Sequence, residues 1–139
     1  MKLILLAALV LIPINLSADD YMLLPSLVNI IANPKSFEGK RVGVYGYLTS
    51  QGFALYLSKD HAKIRDIATA IQVENIDVNE SALSEHCGEK YARIEGRVLR
   101  DMSLPPQADG EVVFFYIGEL EKVVTFSDQW RSSTCWPMQ

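Results

Sequence analysis

The stretch from Gly39 to Leu48 constrains the fold of this chain more than any other part of its sequence. Val42, Val44 and Leu48 recur at a spacing of two, and Gly46 falls on the same face. This alternation, with β-branched and aromatic residues, is typical of a half-buried β-strand. A glycine inside a strand packs nothing, and it more often marks a bulge or a bend. We therefore predict a long first strand that bends at Gly46 and serves two sheets; the alternative is a flat antiparallel strand.

Four later segments have the composition of strands, and one helix separates the third strand from the fourth. The further strands are predicted over residues 53–58, 70–74, 90–100 and 111–126. The helix begins at Asn79 or Ser81 and runs to about Cys87, with Gly88 as its left-handed cap. A shorter helix over residues 27–32 is capped by Ser26.

The order of three strands, a helix and two strands is that of a five-stranded Greek-key OB barrel. We therefore predict an all-β fold with minor helix: a five-stranded Greek-key OB-like barrel, a short N-terminal helix and a helix between strands 3 and 4. The predicted domain covers residues 19–126. Residues 127–139 are predicted to form a C-terminal tail.

The first eighteen residues have the layout of a secretory signal. Lys2 supplies a positive charge, an apolar run from Leu3 to Ile14 follows, and Ala18 offers a small residue before a cut. The run is shorter than the ~20 apolar residues that span a bilayer. We predict a signal peptide over residues 1–18 and export to the periplasm or the medium, with no transmembrane segment in the mature chain. The alternative is an uncleaved anchor.

The charge of the chain argues against nucleic acid as a partner. Thirteen Lys and Arg stand against 17 Asp and Glu, which gives a net charge of −4 at pH 7. Loss of Lys2 with the leader makes the mature chain more acidic still. An acidic domain repels phosphate backbones, so nucleic acid is not the expected partner.

The two cysteines, Cys87 and Cys135, form an even count in a chain that is predicted to be exported. In an oxidising compartment such a pair favours a disulfide, which would tether the tail to the end of the helix. The alternative is two free thiols. Neither cysteine belongs to a Cys-x-x-Cys motif, so a redox role is disfavoured.

Three segments resemble a known group. The sequence NPKSFEGKRVGVYGYL at residues 33–48 is similar to the opening of uncharacterised exported bacterial proteins with an OB-like fold. ALYLS at 54–58 and KYARIEG at 90–96 are similar to that group too. The resemblance covers roughly residues 27–124. It implies the fold, and it supplies no functional residues to carry over.

The outward residues of the predicted strands form the candidate binding surface. In OB barrels, ligands usually lie across the outer face of strands 2 and 3 and the nearby loops. Tyrosines there can stack on bases or sugar rings, but they are also good strand formers and can cover the barrel beneath the tail. The predicted binding residues are Arg41, Tyr45, Tyr47, Tyr56 and Gln72.

Catalytic or metal chemistry finds little support in the sequence. Asp60, His61 and Asp66 could contribute to a metal site, but structural sites usually use four ligands with matched spacing. A solvated loop is the simpler interpretation. Ser58 and Ser84 lie in no nucleophile elbow. We predict no catalysis, no bound metal and no cofactor.

The favoured hypothesis is a non-catalytic exported binding or adaptor module that contacts an envelope protein, a peptide or a glycan. The alternatives are a single-stranded nucleic acid-binding OB-fold protein and a cryptic enzyme or metal protein. The sequence leaves the oligomeric state open.

Overall fold

The computed structural model describes residues 21–74, 80–103, 113–129 and 131–137. The predicted signal peptide, residues 104–112 and Trp130 lie outside these ranges. Within them, the strands are β1 (Arg41–Leu48), β2 (Ala54–Tyr56), β3 (Ala70–Val73), β4 (Lys90–Arg100), β5 (Phe115–Phe126) and β6 (Ser132–Trp136). The helices are α1 (Leu27–Ala32), α2 (Lys59–Lys63) and α3 (Glu80–Cys87), with 3₁₀ turns at Pro34–Phe37 and Ile67–Thr69.

The first five strands close into a barrel. Their order is β3-β2-β1-β4-β5, and a parallel pairing of β3 with β5 joins the two ends at Gln72↔Tyr116 and Val73↔Ile117. The helix α3 follows β3 and precedes β4. The predicted all-β, OB-like barrel with minor helix is therefore confirmed.

The core fills the barrel with aliphatic side chains from every strand of the closed sheet. The predicted inward residues of β1 and β4 are fully buried, as the alternation requires. Ser26 caps α1 by accepting a hydrogen bond from the amide of Asn29, so that Leu27 and Ile30 face this core. The side chains with the least exposure are Ile30, Val42, Val44, Leu48, Leu55, Val73, Ile94, Val98, Ile117 and Val123.

Gly46 marks the point where β1 acquires a second neighbour. The strand pairs with β4 along its whole length, but it pairs with β2 only at Tyr47 and Leu48, directly after the glycine. A Cβ atom at Gly46 would lie 2.6 Å from the carbonyl oxygen of Tyr56 and 2.7 Å from Cγ of Leu55. The strand β2 therefore crosses so close to Gly46 that it leaves no room for a side chain there.

Two residues with a left-handed backbone conformation directly follow a glycine, and the glycine itself is not left-handed. Gly88 was predicted to be the left-handed cap of α3, and this is wrong, since Glu89 adopts φ +58°. Gly88 is needed for space, because a Cβ there would lie 2.5 Å from the carbonyl oxygen of Ser84. In β5 the register shifts after Gly118, and Glu119 has φ +47°.

The predicted tail contains a sixth strand. β6 runs antiparallel to β5, with Thr125↔Ser133 and Phe126↔Ser132 in register. A disulfide joins Cys135 of this strand to Cys87 at the end of α3, with the two Cα atoms 5.7 Å apart, so the predicted pairing is confirmed. The sequence Ser-Ser-Thr-Cys-Trp lacks apolar alternation, and the strand forms because the edge of β5 offers it backbone partners.

Among the described residues, no helix has the length and apolar character needed to cross a membrane.

Candidate functional site

Four aromatic side chains cross the outer face of the barrel in one line, which we call the aromatic row. Tyr47 of β1 lies opposite Tyr56 of β2 and opposite Tyr91 of β4. Tyr91 in turn lies opposite Phe126 of β5. Directly opposed residues of antiparallel strands project from the same face, so the register alone places all four side chains together.

The aromatic row is buried at one end and open at the other. Tyr56 and Tyr47 are only 8% and 5% exposed, whereas Tyr91 is 42% exposed and Phe126 is half-buried. The rings of Tyr47 and Tyr91 meet edge to face, with their centroids 5.3 Å apart. Tyr47 therefore supports the ring of Tyr91, and Tyr91 with Phe126 presents the accessible aromatic surface.

A groove of about 1340 Å³ opens over this accessible end. Its walls come from the ends of α3 and β1, from the β5–β6 connection and from β6. We call it the main groove, and its lining residues are Tyr47, Lys59, His86, Glu89, Lys90, Tyr91, Thr125, Phe126, Ser127, Asp128, Arg131, Ser133, Thr134 and Cys135.

A smaller groove of about 460 Å³ continues beside the main one. Its walls include the loop after β1 and the helix α2. It is lined by Tyr47, Thr49, Gln51, Gly52, Tyr56, Lys59, Ala62, Lys63, Arg65 and Glu89. The two grooves share Tyr47, Lys59 and Glu89, so these three residues mark the junction of one continuous surface.

The carboxylate of Glu89 is fixed at this junction. Its Oε1 accepts hydrogen bonds from the backbone N–H and the hydroxyl of Ser50, both at 2.9 Å, and Oε2 accepts one from the Tyr47 hydroxyl at 3.3 Å. Donation by Ser50 is the main reason that the pKa of Glu89 lies below its ordinary value of 4.5, and Lys59 adds a smaller effect of the same sign. The junction therefore carries a fixed negative charge at neutral pH.

This arrangement predicts a measurable effect of Ser50→Ala. The variant keeps the backbone donor and loses the hydroxyl donor, so the pKa of Glu89 should rise part of the way to its ordinary value. Because the folded pKa is the lower one, the carboxylate stabilises the fold fully above the unfolded pKa. That contribution is lost as the pH falls through the folded value. NMR titration of the Glu89 side chain measures the shift.

The matched control for this titration is Ser133→Ala, which removes a hydroxyl from the main groove without touching Glu89. Its Glu89 pKa should equal that of the wild type. A Glu89 pKa that is the same in Ser50→Ala and in the wild type would contradict the assignment.

Cations predominate among the charged residues of the two grooves. The ammonium groups come from Lys59, Lys63 and Lys90, and the guanidinium groups from Arg65 and Arg131. The described lining residues include only two carboxylates, those of Glu89 and Asp128. Lys63 is paired with Asp60 at 3.0 Å, so the two grooves keep a modest excess of positive charge in a chain whose net charge is −4.

The five residues that the sequence predicted for binding separate into two groups. Tyr47 and Tyr56 belong to the aromatic row, but both are buried. Tyr45 is 55% exposed, and it lies outside both grooves with its ring 5.9 Å from that of Phe126. Arg41 forms a two-oxygen ion pair with Glu121, and the amide nitrogen of Gln72 donates to the carbonyl oxygen of Gly52. Arg41 and Gln72 line neither groove.

Sequence reasoning did not select Tyr91, Phe126 or Glu89 as site residues. Tyr91 alternates with the apolar Ala92 and Ile94 of the fourth strand, and this alternation is a usable signal that Tyr91 faces outward. Glu89 carried no such signal, because its role depends on the approach of Ser50 from a loop 39 residues earlier.

Ser58 and His61 do meet, with the Ser58 hydroxyl 2.7 Å from Nδ1 of the imidazole. The same hydroxyl accepts a hydrogen bond from the backbone N–H of His61, which is the N-cap geometry of α2. In the part of the chain that the structure describes, no carboxylate bonds to His61, and no three His, Cys, Asp or Glu residues converge as metal ligands. The contact is accounted for by capping.

Comparisons with protein-family profiles, with curated proteins and with solved structures find no match to this chain. The site must therefore be interpreted from its own geometry.

Proposed function

We propose that this protein is an exported, non-catalytic binding module that holds its partner in the main groove. The single observation that supports this most strongly is the aromatic row, which is buried at Tyr56 and Tyr47 and becomes accessible at Tyr91. Aromatic surface held by a packed neighbour loses little conformational entropy on binding, so it contributes efficiently to affinity.

Two observations support export. The leader has the composition of a secretory signal, and the Cys87–Cys135 disulfide is of a kind that persists in oxidising compartments. We infer that the mature protein acts in the periplasm or the medium and meets its partner there, as an envelope protein, a peptide or a glycan.

Single-stranded nucleic acid is the second candidate partner. Proteins that bind single-stranded nucleic acid usually combine aromatic side chains with cationic ones. The main groove has both, with the aromatic rings of Tyr91 and Phe126 and the cations of Lys59, Lys90 and Arg131. The acidic net charge of the chain opposes it, because long-range repulsion slows the approach of a polyanion.

The test is capture of partners from an envelope extract with the full-length mature protein and its Tyr91→Ala variant. Tyr91 is partly exposed and outside the core, so the variant is expected to fold and to lose most of the captured material. The matched control is Tyr21→Ala, which removes a 74% exposed tyrosine that lines neither groove.

Thermal unfolding of the three proteins confirms that each is folded before they are compared. Dependence of capture on Tyr91, with Tyr21→Ala equal to the wild type, is the expected result. Equal recovery by all three proteins would refute the proposal, and so would a wild type that retains nothing.

A further inference from the structure

The chemistry of the groove walls narrows the class of ligand. Among the described residues that line the two grooves there is no leucine, isoleucine, valine or methionine, and Ala62 supplies the one aliphatic side chain. Peptide recognition in grooves depends on apolar pockets for anchor side chains. This surface offers aromatic rings and polar groups instead, so it is poorly suited to an apolar peptide segment.

Hydroxyl groups supply most of the neutral polar lining of the main groove, and they belong to Tyr47, Tyr91, Thr125, Ser127, Ser133 and Thr134. Tyr47 and Thr125 are buried, and their hydroxyls already bond to Glu89 and to the carbonyl oxygen of Ser133. The other four remain for a ligand. A ligand that is itself rich in hydroxyls can exchange hydrogen bonds with them in both directions, because each hydroxyl donates and accepts.

The charges of the surface add a second requirement. Glu89 is already satisfied by Ser50 and Tyr47, whereas the Lys59 ammonium and the Arg131 guanidinium have no described hydrogen-bonding partner of their own. Two cations with unused donors flank an aromatic floor. A ligand that places an anionic group beside a flat, hydroxylated ring would satisfy both features.

Size points to an extended ligand. The main groove, at about 1340 Å³, exceeds the range of a typical small-molecule pocket, and the smaller groove extends it past the junction at Tyr47 and Lys59. A chain of several rings can occupy such a surface from end to end.

We propose that the ligand of this surface is an acidic glycan, a chain of sugar rings that carry carboxylate groups. One ring packs on the open face of Tyr91 and Phe126, its carboxylate meets Lys59 or Arg131, and its hydroxyls bond to the Ser and Thr side chains of the β5–β6 hairpin. This inference rests on the proposed binding function and specifies the ligand within it.

The experiment is titration calorimetry of the mature protein at low ionic strength with defined probes. The acidic glycans are hexamers of galacturonic acid and of mannuronic acid. Cellohexaose supplies neutral rings, hexaglutamate supplies carboxylates without rings, and a twelve-residue oligothymidylate supplies phosphates with bases. We expect at least one uronic acid hexamer to bind more tightly than the other three probes, and to weaken as salt is added.

The variant that tests the charge is Lys59→Gln with Arg131→Gln. Loss of two exposed charge contacts should weaken binding of the uronic acid hexamer about tenfold. The matched control is Lys35→Gln with Lys40→Gln, which makes the same change in net charge outside both grooves and should leave the affinity unchanged.

Any other calorimetric result contradicts the inference of an acidic glycan. The consequence for the binding function differs from one result to the next. Equal binding of cellohexaose, or tighter binding of hexaglutamate or oligothymidylate, removes the inference and leaves the groove as a binding site if Tyr91→Ala abolishes it. Failure of all five probes removes the inference as well. Only the capture experiment with Tyr91→Ala can refute the binding function itself.

Discussion

Removing the Cys87–Cys135 disulfide is expected to lower the free energy of unfolding by about 4 kcal/mol. The bond closes a loop over a separation of 48 residues that contains β4 and β5. On the chain-entropy view it stabilises by restricting the unfolded chain, and longer loops give larger effects. The variant is Cys87→Ala with Cys135→Ala, because alanine leaves no polar group at position 87, which is fully buried.

Urea denaturation of the double variant beside the wild type measures this loss. Wild-type protein under a thiol reductant is the matched control, since it keeps both sulfur atoms and lacks only the bond. It should lose nearly as much stability as the variant. A loss of less than about 1 kcal/mol in both samples would show that the cross-link contributes little.

The same variant should alter the main groove. Cys135 lies in β6, whose Ser133 and Thr134 form a wall of the groove, and β6 is an edge strand with β5 as its paired neighbour. Without the bond we expect the β6 amides to exchange with solvent faster than those of β4. The disulfide thus links the stability of the barrel to the shape of the proposed binding surface.

Gly46→Ala is expected to destabilise the protein by about 1–3 kcal/mol, as overpacked positions usually do. The added Cβ would lie 2.6 Å from the carbonyl oxygen of Tyr56 and 2.7 Å from Cγ of the fully buried Leu55. Neither neighbour can move without disturbing the pairing of β1 with β2. The aromatic row should shift as well, because Tyr47 directly follows the substituted residue.

Gly43→Ala is the matched control, since it makes the same change in the same strand. Its Cβ would meet Cδ2 of Leu24 at 2.9 Å and Sδ of Met22 at 3.1 Å. Leu24 is 66% exposed, so its side chain can move aside. We expect this variant to be neutral, or slightly stabilised through the lower entropy of its unfolded chain.

Thermal and urea unfolding of the two glycine variants give the comparison. A Gly46→Ala protein as stable as Gly43→Ala would mean that β1 and β2 do not approach as closely as the structure has them.

Much of the fold was predictable because a barrel interior imposes a strict alternation. Val42, Val44 and Leu48 had to share a face, and the glycine at position 46 of that face indicated a position without room for a side chain. The strand β6 was not predictable in the same way. It is short and polar, and it exists because β5 extends far enough to present an unpaired edge.

The candidate site was predictable only in part, because alternation gives the face of a side chain and not its exposure. Tyr47 and Tyr56 were correctly placed on the outer face, yet neighbouring strands and loops cover them. The side chain of Tyr91 remains exposed because it faces the main groove.

The sequence by itself determined the barrel and the pairing of the two cysteines, and it marked Gly46 as a special position of β1. These follow from local rules: the alternation of apolar residues, the meaning of a glycine inside a strand, and the even number of cysteines. Only the tertiary structure decided which aromatic side chains remain accessible and which charges surround them. The reason is that exposure and electrostatic environment are set by segments far apart in the chain, such as Ser50 against Glu89 and β6 beside Phe126.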